Sequence, residues 1–84
     1  MPWYVYIAQC NDRSLYAGIA KHPEARVREH NAGRGSKYVR SRGSARLVYV
    51  KRCASESSAR RREAALKTLT RVQKLALVHA AQST

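Results

Sequence analysis

With 84 residues and a formal net charge of +12, 17 Lys and Arg against 5 Asp and Glu, the chain has room for one small core. A hydrophobic fraction of 44% is too high for a disordered basic tail, yet no apolar run approaches the roughly 20 residues of a membrane span. Such a charge attracts polyanions and opposes self-association, so nucleic acid is the first partner to expect and a membrane is not. No basic n-region precedes an apolar stretch at the N-terminus, which makes the cytoplasm the default location.

Trp3 to Cys10, "WYVYIAQC", alternates as a strand, with Tyr4, Tyr6, Ala8 and Cys10 on one face and Trp3, Val5 and Ile7 on the other. Asn11, Asp12 and Ser14 mark a turn, and Leu15 to Ala20 forms the second strand of a hairpin. Tyr16 and Gly18 share a face of that strand. Whether Tyr6 joins them depends on the loop. A four-residue loop from Asn11 to Ser14 puts Tyr6 and Tyr16 on opposite faces, whereas an odd-length loop or a bulge puts them together.

Pro23 suits the first helical position and Gly33 a C-terminal stop, so a helix of about ten residues is expected, with Arg26 and His30 one turn apart on one face. Gly33 to Ser44, "GRGSKYVRSRGS", reads as a loop whose Arg34, Lys37, Arg40 and Arg42 would contact phosphates without reading sequence. Arg46 to Cys53 alternates as a third strand. Ser55 is a natural N-cap for a helix to about Leu69. A last helix spans about Thr70 to Ala80, with Val72, Leu75 and Val78 as its apolar stripe. The expected fold is one α/β domain over residues 1–84, a small three-stranded antiparallel sheet flanked by helices in the order β-β-α-β-α-α.

Cys10 and Cys53 each end a strand and read as small buried hydrophobes. With His22, His30 and His79 they show no zinc spacing. The acids are Asp12, Glu24, Glu29, Glu56 and Glu63, too scattered for the convergent carboxylates of a two-metal site. One hard cation on a single carboxylate, completed by water and substrate phosphate, is compatible with them. Glu63 stands out because Ala59, Glu63 and Leu66 share a core-facing spacing, where a carboxylate is costly to bury without a cationic partner. Its plainer reading is a surface glutamate paired with Arg60, Arg61 or Arg62. Arg26 and His30 have a plainer reading as exposed helix residues, and Tyr6 and Tyr16 as hairpin aromatics.

Taken together and in order, these residues resemble the GIY-YIG nuclease superfamily, in its small stand-alone bacterial branch. Tyr4-Val5-Tyr6 stands where the first motif ends, Tyr16-Ala17-Gly18 stands for the second, and "ARVREHN" resembles the helix motif with Arg26 and His30. Glu63 in "ARRREAALK" resembles the metal-binding glutamate, and "GSKYVRSR" and "LVYV" extend the likeness over nearly the whole chain. The first motif lacks its glycine and isoleucine, and Ala17 replaces the second motif's isoleucine. Many members carry a late asparagine beyond the glutamate, whereas this chain has only Asn11 and Asn31.

The resemblance implies an endonuclease that uses Mg²⁺ or Mn²⁺ to hydrolyse DNA phosphodiester bonds, and it leaves substrate choice open between branched or damaged DNA, in repair or recombination, and structured RNA. In that scheme Glu63 holds the metal, Arg26 neutralises the phosphate, and Tyr6 or Tyr16 orients or deprotonates water with help from the metal or His30. Gly18 lets the backbone approach closely. The competing expectation is a basic nucleic-acid-binding module with a vestigial site. An adaptor for an acidic protein fits the charge but leaves the tyrosine, arginine and glutamate constellation unexplained.

Overall fold

The computed structural model describes residues 2–32 and 44–82. Strands β1 (Trp3–Cys10), β2 (Leu15–Ala20) and β3 (Ala45–Cys53) form an antiparallel sheet in the order β2-β1-β3. Helices α1 (Pro23–Asn31), α2 (Glu56–Lys67) and α3 (Arg71–Gln82) cover it. The expected element order is the observed one. The loop residues Arg34, Lys37, Arg40 and Arg42 lie outside the described residues.

The hairpin decides which side chains meet. Arg13 adopts φ 69°, a left-handed backbone, and the Cys10 N–H donates to the Ser14 carbonyl at 2.9 Å. The loop is therefore three residues long, Asn11 to Arg13, and not four. Asp12 accepts from both the Ser14 backbone N–H, at 2.9 Å, and the Ser14 hydroxyl, at 2.6 Å, which holds the turn. In the resulting register Tyr6 faces Gly18 and Ala8 faces Tyr16, so both tyrosines project from one side of the sheet.

The two faces carry separate cores. On one, α1 contributes Val27 to a cluster with Tyr6, Ala8, Cys10, Ala20 and Ala45. On the other, α2 and α3 lay Ala59, Leu66 and Val78 over Val5, Ile7, Ala17, Val48 and Cys53. Both cysteines are free and buried, as their strand-end positions suggested. Strict alternation in the third strand is overturned by a bulge between Ile7 and Ala8: Ile7 pairs with Tyr49, but Ala8 pairs with Leu47. The extra residue turns Leu47 and Ala45 toward α1 and leaves Val48 in the opposite core.

The helix ends differ by small amounts from expectation. Helix α1 closes at Asn31, and α2 stops at Lys67 rather than Leu69. Ser55 does cap α2, accepting from the Ser58 N–H at 3.1 Å while the Ser58 hydroxyl accepts from the Ser55 N–H. The apolar stripe of α3 needs one correction. Val72 is 75% exposed, and Leu77 joins Val78 against the sheet instead. Val72 sits in the first turn of α3 and faces solvent.

Candidate active site

Strand β2 is one edge of the sheet, and the site is built around that edge. Tyr6, Tyr16, Arg26 and His30 reach it from the α1 side, and Ile19, Arg60 and Glu63 from the α2 side. With Gly18 between them they line one cleft of about 180 Å³. The structure thus brings all five sequence-derived candidates, Tyr6, Tyr16, Arg26, His30 and Glu63, around a single hollow.

Gly18 makes this possible. A Cβ at this position would lie 2.7 Å from Tyr6 Oη and 2.8 Å from Tyr6 Cζ. The phenol therefore occupies the space that any other residue's side chain would fill, crossing from β1 toward the edge. The Tyr6 ring lies 6.5 Å from that of Tyr16, and Tyr16 meets His30 edge-on at 5.7 Å. Tyr6 is almost fully buried, and burial is the main reason its hydroxyl is pushed up to about 12. Electrostatic repulsion from Tyr16 pushes the same way, the Arg26 charge opposes it, and Glu63 adds to the rise. Tyr6 consequently keeps its proton at neutral pH and can donate it to an anion.

His30 is buried on the inner face of α1, with Nδ1 lacking any hydrogen-bond partner. Burial first, and the Arg26 charge second, hold its pKa below the usual 6.5, with Glu29 opposing. The imidazole is therefore neutral at physiological pH, and its ring borders the cleft. Arg26, one turn earlier, is exposed at the cleft wall.

Glu63 does not pair with the flanking arginines. Arg60 is held by Glu56 at 2.7 Å, Arg61 donates to the Ser57 hydroxyl at 3.1 Å, and Glu63 faces Lys67 at 3.5 Å. That longer contact, to a lysine that is itself 59% exposed, leaves carboxylate oxygen available to another cation. Among the described residues no group of three His, Cys, Asp or Glu is placed to cage a metal. A divalent ion here would have one protein carboxylate, which suits a hard cation that keeps most of its water.

Ile19 and Arg60 are the lining residues that sequence reasoning passed over, and Arg60 is the charged one. The signal for Arg60 was its place one turn before Glu63, on the same flank of α2. Asn31 has a structural task instead. Its side chain donates to the Ala45 carbonyl at 2.8 Å and accepts from the Ala45 N–H at 2.7 Å, tying the end of α1 to the start of β3.

Residues 2–76 match the family model described as "GIY-YIG catalytic domain". A UPF0213 protein of Staphylococcus haemolyticus is 48% identical over 75 residues, 89% of this chain and 92% of that one. The solution NMR structure of the UPF0213 protein BH0048 from Bacillus halodurans superposes with a TM-score of 0.61 at 40% identity, covering 95% of this chain and 85% of the other. That of EF2693 from E. faecalis gives 0.66 at 35% identity, covering 100% and 90%. Matched through its motifs, its fold and most of its length, the chain belongs to the GIY-YIG nuclease family.

Proposed function

We propose that the protein is an endonuclease that hydrolyses phosphodiester bonds in DNA with one divalent cation, Mg²⁺ or Mn²⁺. The observation that carries this reading is the meeting of Glu63, from one side of the sheet, with Arg26, His30 and two phenols from the other, in one small cleft. Arg26 is the cation for the scissile phosphate, where removal of a comparable charge costs about 10²–10³ in rate. Tyr6, protonated and buried, donates a hydrogen bond to a phosphate oxygen. Tyr16, edge-on to the neutral imidazole, orients the attacking water, and His30 receives its proton. Water adds at phosphorus as its proton passes to His30, the ester bond breaks with its electron pair going to the leaving oxygen, and that oxygen takes a proton from solvent water while His30 later returns its own to solvent. Glu63 would hold the cation, which supplies polarisation of the phosphate and neutralises charge on the leaving oxygen.

Glu63→Gln tests the reading, because it keeps the size of the side chain and removes the charge that a divalent ion requires. Metal-dependent cleavage should collapse while DNA affinity persists on the strength of the net +12 charge. Cleavage by Glu63→Gln at the wild-type rate would remove Glu63 as ligand. No cleavage by the wild type, on plasmid or branched DNA with either metal, would favour a binding module instead. Arg34, Lys37, Arg40 and Arg42 would add phosphate contacts along the flanking backbone. Replacing Lys37 and Arg40 by alanine should flatten the dependence of log K on log salt by about 0.9 for each phosphate no longer neutralised.

A further inference from the structure

The cleft is not isolated. Arg26, on its wall, also lines a second hollow of about 340 Å³ with Trp3 and Lys21. Lys21 and His22 in turn border a third, of about 440 Å³, on the far side of the start of α1. The three hollows share lining residues in sequence, Arg26 between the first two and Lys21 and His22 between the last two, so they follow one another as a track around that end of the helix.

The third hollow has a chemistry of its own. Tyr4, Leu47 and Val50 line it, all on the sheet face that bears Tyr6, and Leu47 is there only because the bulge re-aims it. Val50 is 46% exposed, one of two large hydrophobic residues left so open among the described residues. Lys21 and Arg28 add cationic groups to the lining, against one acid, Glu24. An aromatic ring, aliphatic neighbours and flanking cations suit a flat apolar group carried on a polyanion. The volume is also within the range of ligand-holding clefts, about 300–1,000 Å³.

We infer that the Tyr4–Leu47–Val50 hollow is a binding site for an unpaired nucleobase of a DNA strand whose phosphates run past Lys21 and Arg26 into the cleft. Base stacking on an aromatic side chain needs no particular sequence, because every base has a π-face. Lys21 already sits 5.5 Å above the Trp3 ring, which places a cation midway along the track. The inference rests on the nucleic-acid reading of the neighbouring cleft. It adds to that reading a preference for substrates with a single-stranded flank.

The test is a binding measurement in chelator, so that no strand is cut. The probes are an oligothymidylate, an abasic oligomer of equal length, and a blunt duplex. Wild type should bind the oligothymidylate about fivefold or more tighter than the abasic oligomer, since stacking of one base is typically worth that much or more by alanine substitution. Tyr4→Ala and Tyr4→Leu should lose most of that ratio, keep duplex affinity and keep the salt slope. Tyr4→Phe should keep the ratio. Tyr4→Leu preserves bulk at a half-buried position, so a wild-type melting temperature for it separates stacking from folding. Lys21→Ala should lower the single-strand salt slope by about 0.7 without touching the base-dependent ratio. An unchanged ratio in both Tyr4→Ala and Tyr4→Leu, or an equal loss on all three probes, would overturn the site. A base-dependent ratio that obeys these variants in a protein that cuts nothing would leave the site standing and remove only the nuclease reading.

Discussion

Gly18→Ala is the smallest change that tests how the cleft is assembled. The added Cβ would stand 2.7 Å from Tyr6 Oη, about 0.7 Å inside the 3.4 Å at which ordinary contact begins. Tyr6 has little space to withdraw. It is 2% exposed and packs in the cluster formed by Ala8, Ala20 and Val27. Overpacking of this kind costs about 1–3 kcal/mol, and each kcal/mol lowers the melting temperature of a domain this size by about 4–8 °C. A displacement of about 1 Å at a reacting group costs on the order of 10²-fold in rate. Thermal melting and metal-dependent cleavage, measured side by side, should therefore both fall. The control is Tyr6→Ala, which empties the space. In that background Gly18→Ala should be neutral or stabilising by about 0.5–1 kcal/mol, the ordinary benefit of alanine over glycine in a strand. A Gly18→Ala protein that melts and cuts like the wild type would refute the close packing of Tyr6 over Gly18.

Tyr6 also sets an alkaline limit. Its folded pKa of about 12 exceeds the unfolded 10.0, so the folded state favours the protonated phenol; its contribution is complete below pH 10 and is lost as pH rises toward 12. That interval is worth about 2–3 kcal/mol, and Tyr6→Phe should resist unfolding between pH 10 and 12 better than the wild type, as read by circular dichroism; equal pH profiles would contradict it. Asn31→Ala removes both bonds to Ala45 and should cost about 1–3 kcal/mol in urea unfolding, because the Ala45 backbone groups lose their partner. A loss below about 0.5 kcal/mol would mean that water replaces the side chain at no penalty.

The strands and helices were legible because their signals are local. Alternation marks β1 and β2, Pro23 opens α1, and Ser55 caps α2. The candidate residues were legible only as an ordered set of motifs, since each alone reads as an ordinary surface or hairpin residue. What the sequence left open was parity. A three-residue loop needs Arg13 in a left-handed backbone, a conformation that an arginine does not advertise. One residue more in that loop would send Tyr16 to the face opposite Tyr6. The bulge in β3 is a similar case. Nothing in "ARLVYV" distinguishes Leu47 as the residue re-aimed toward α1, because the pairing partner Ala8 decides it. Arg60 was overlooked because three consecutive arginines look alike until the helix is placed beside the sheet edge.

The clasp between Asn31 and Ala45 has a consequence for how this chain can vary. It fixes the end of α1, one residue after His30, against the start of β3, so a substitution at either partner reaches the cleft without touching its lining. Tyr16 stands on β2 and is held by its own pairing with Ala8, so loosening the clasp should disturb His30 first.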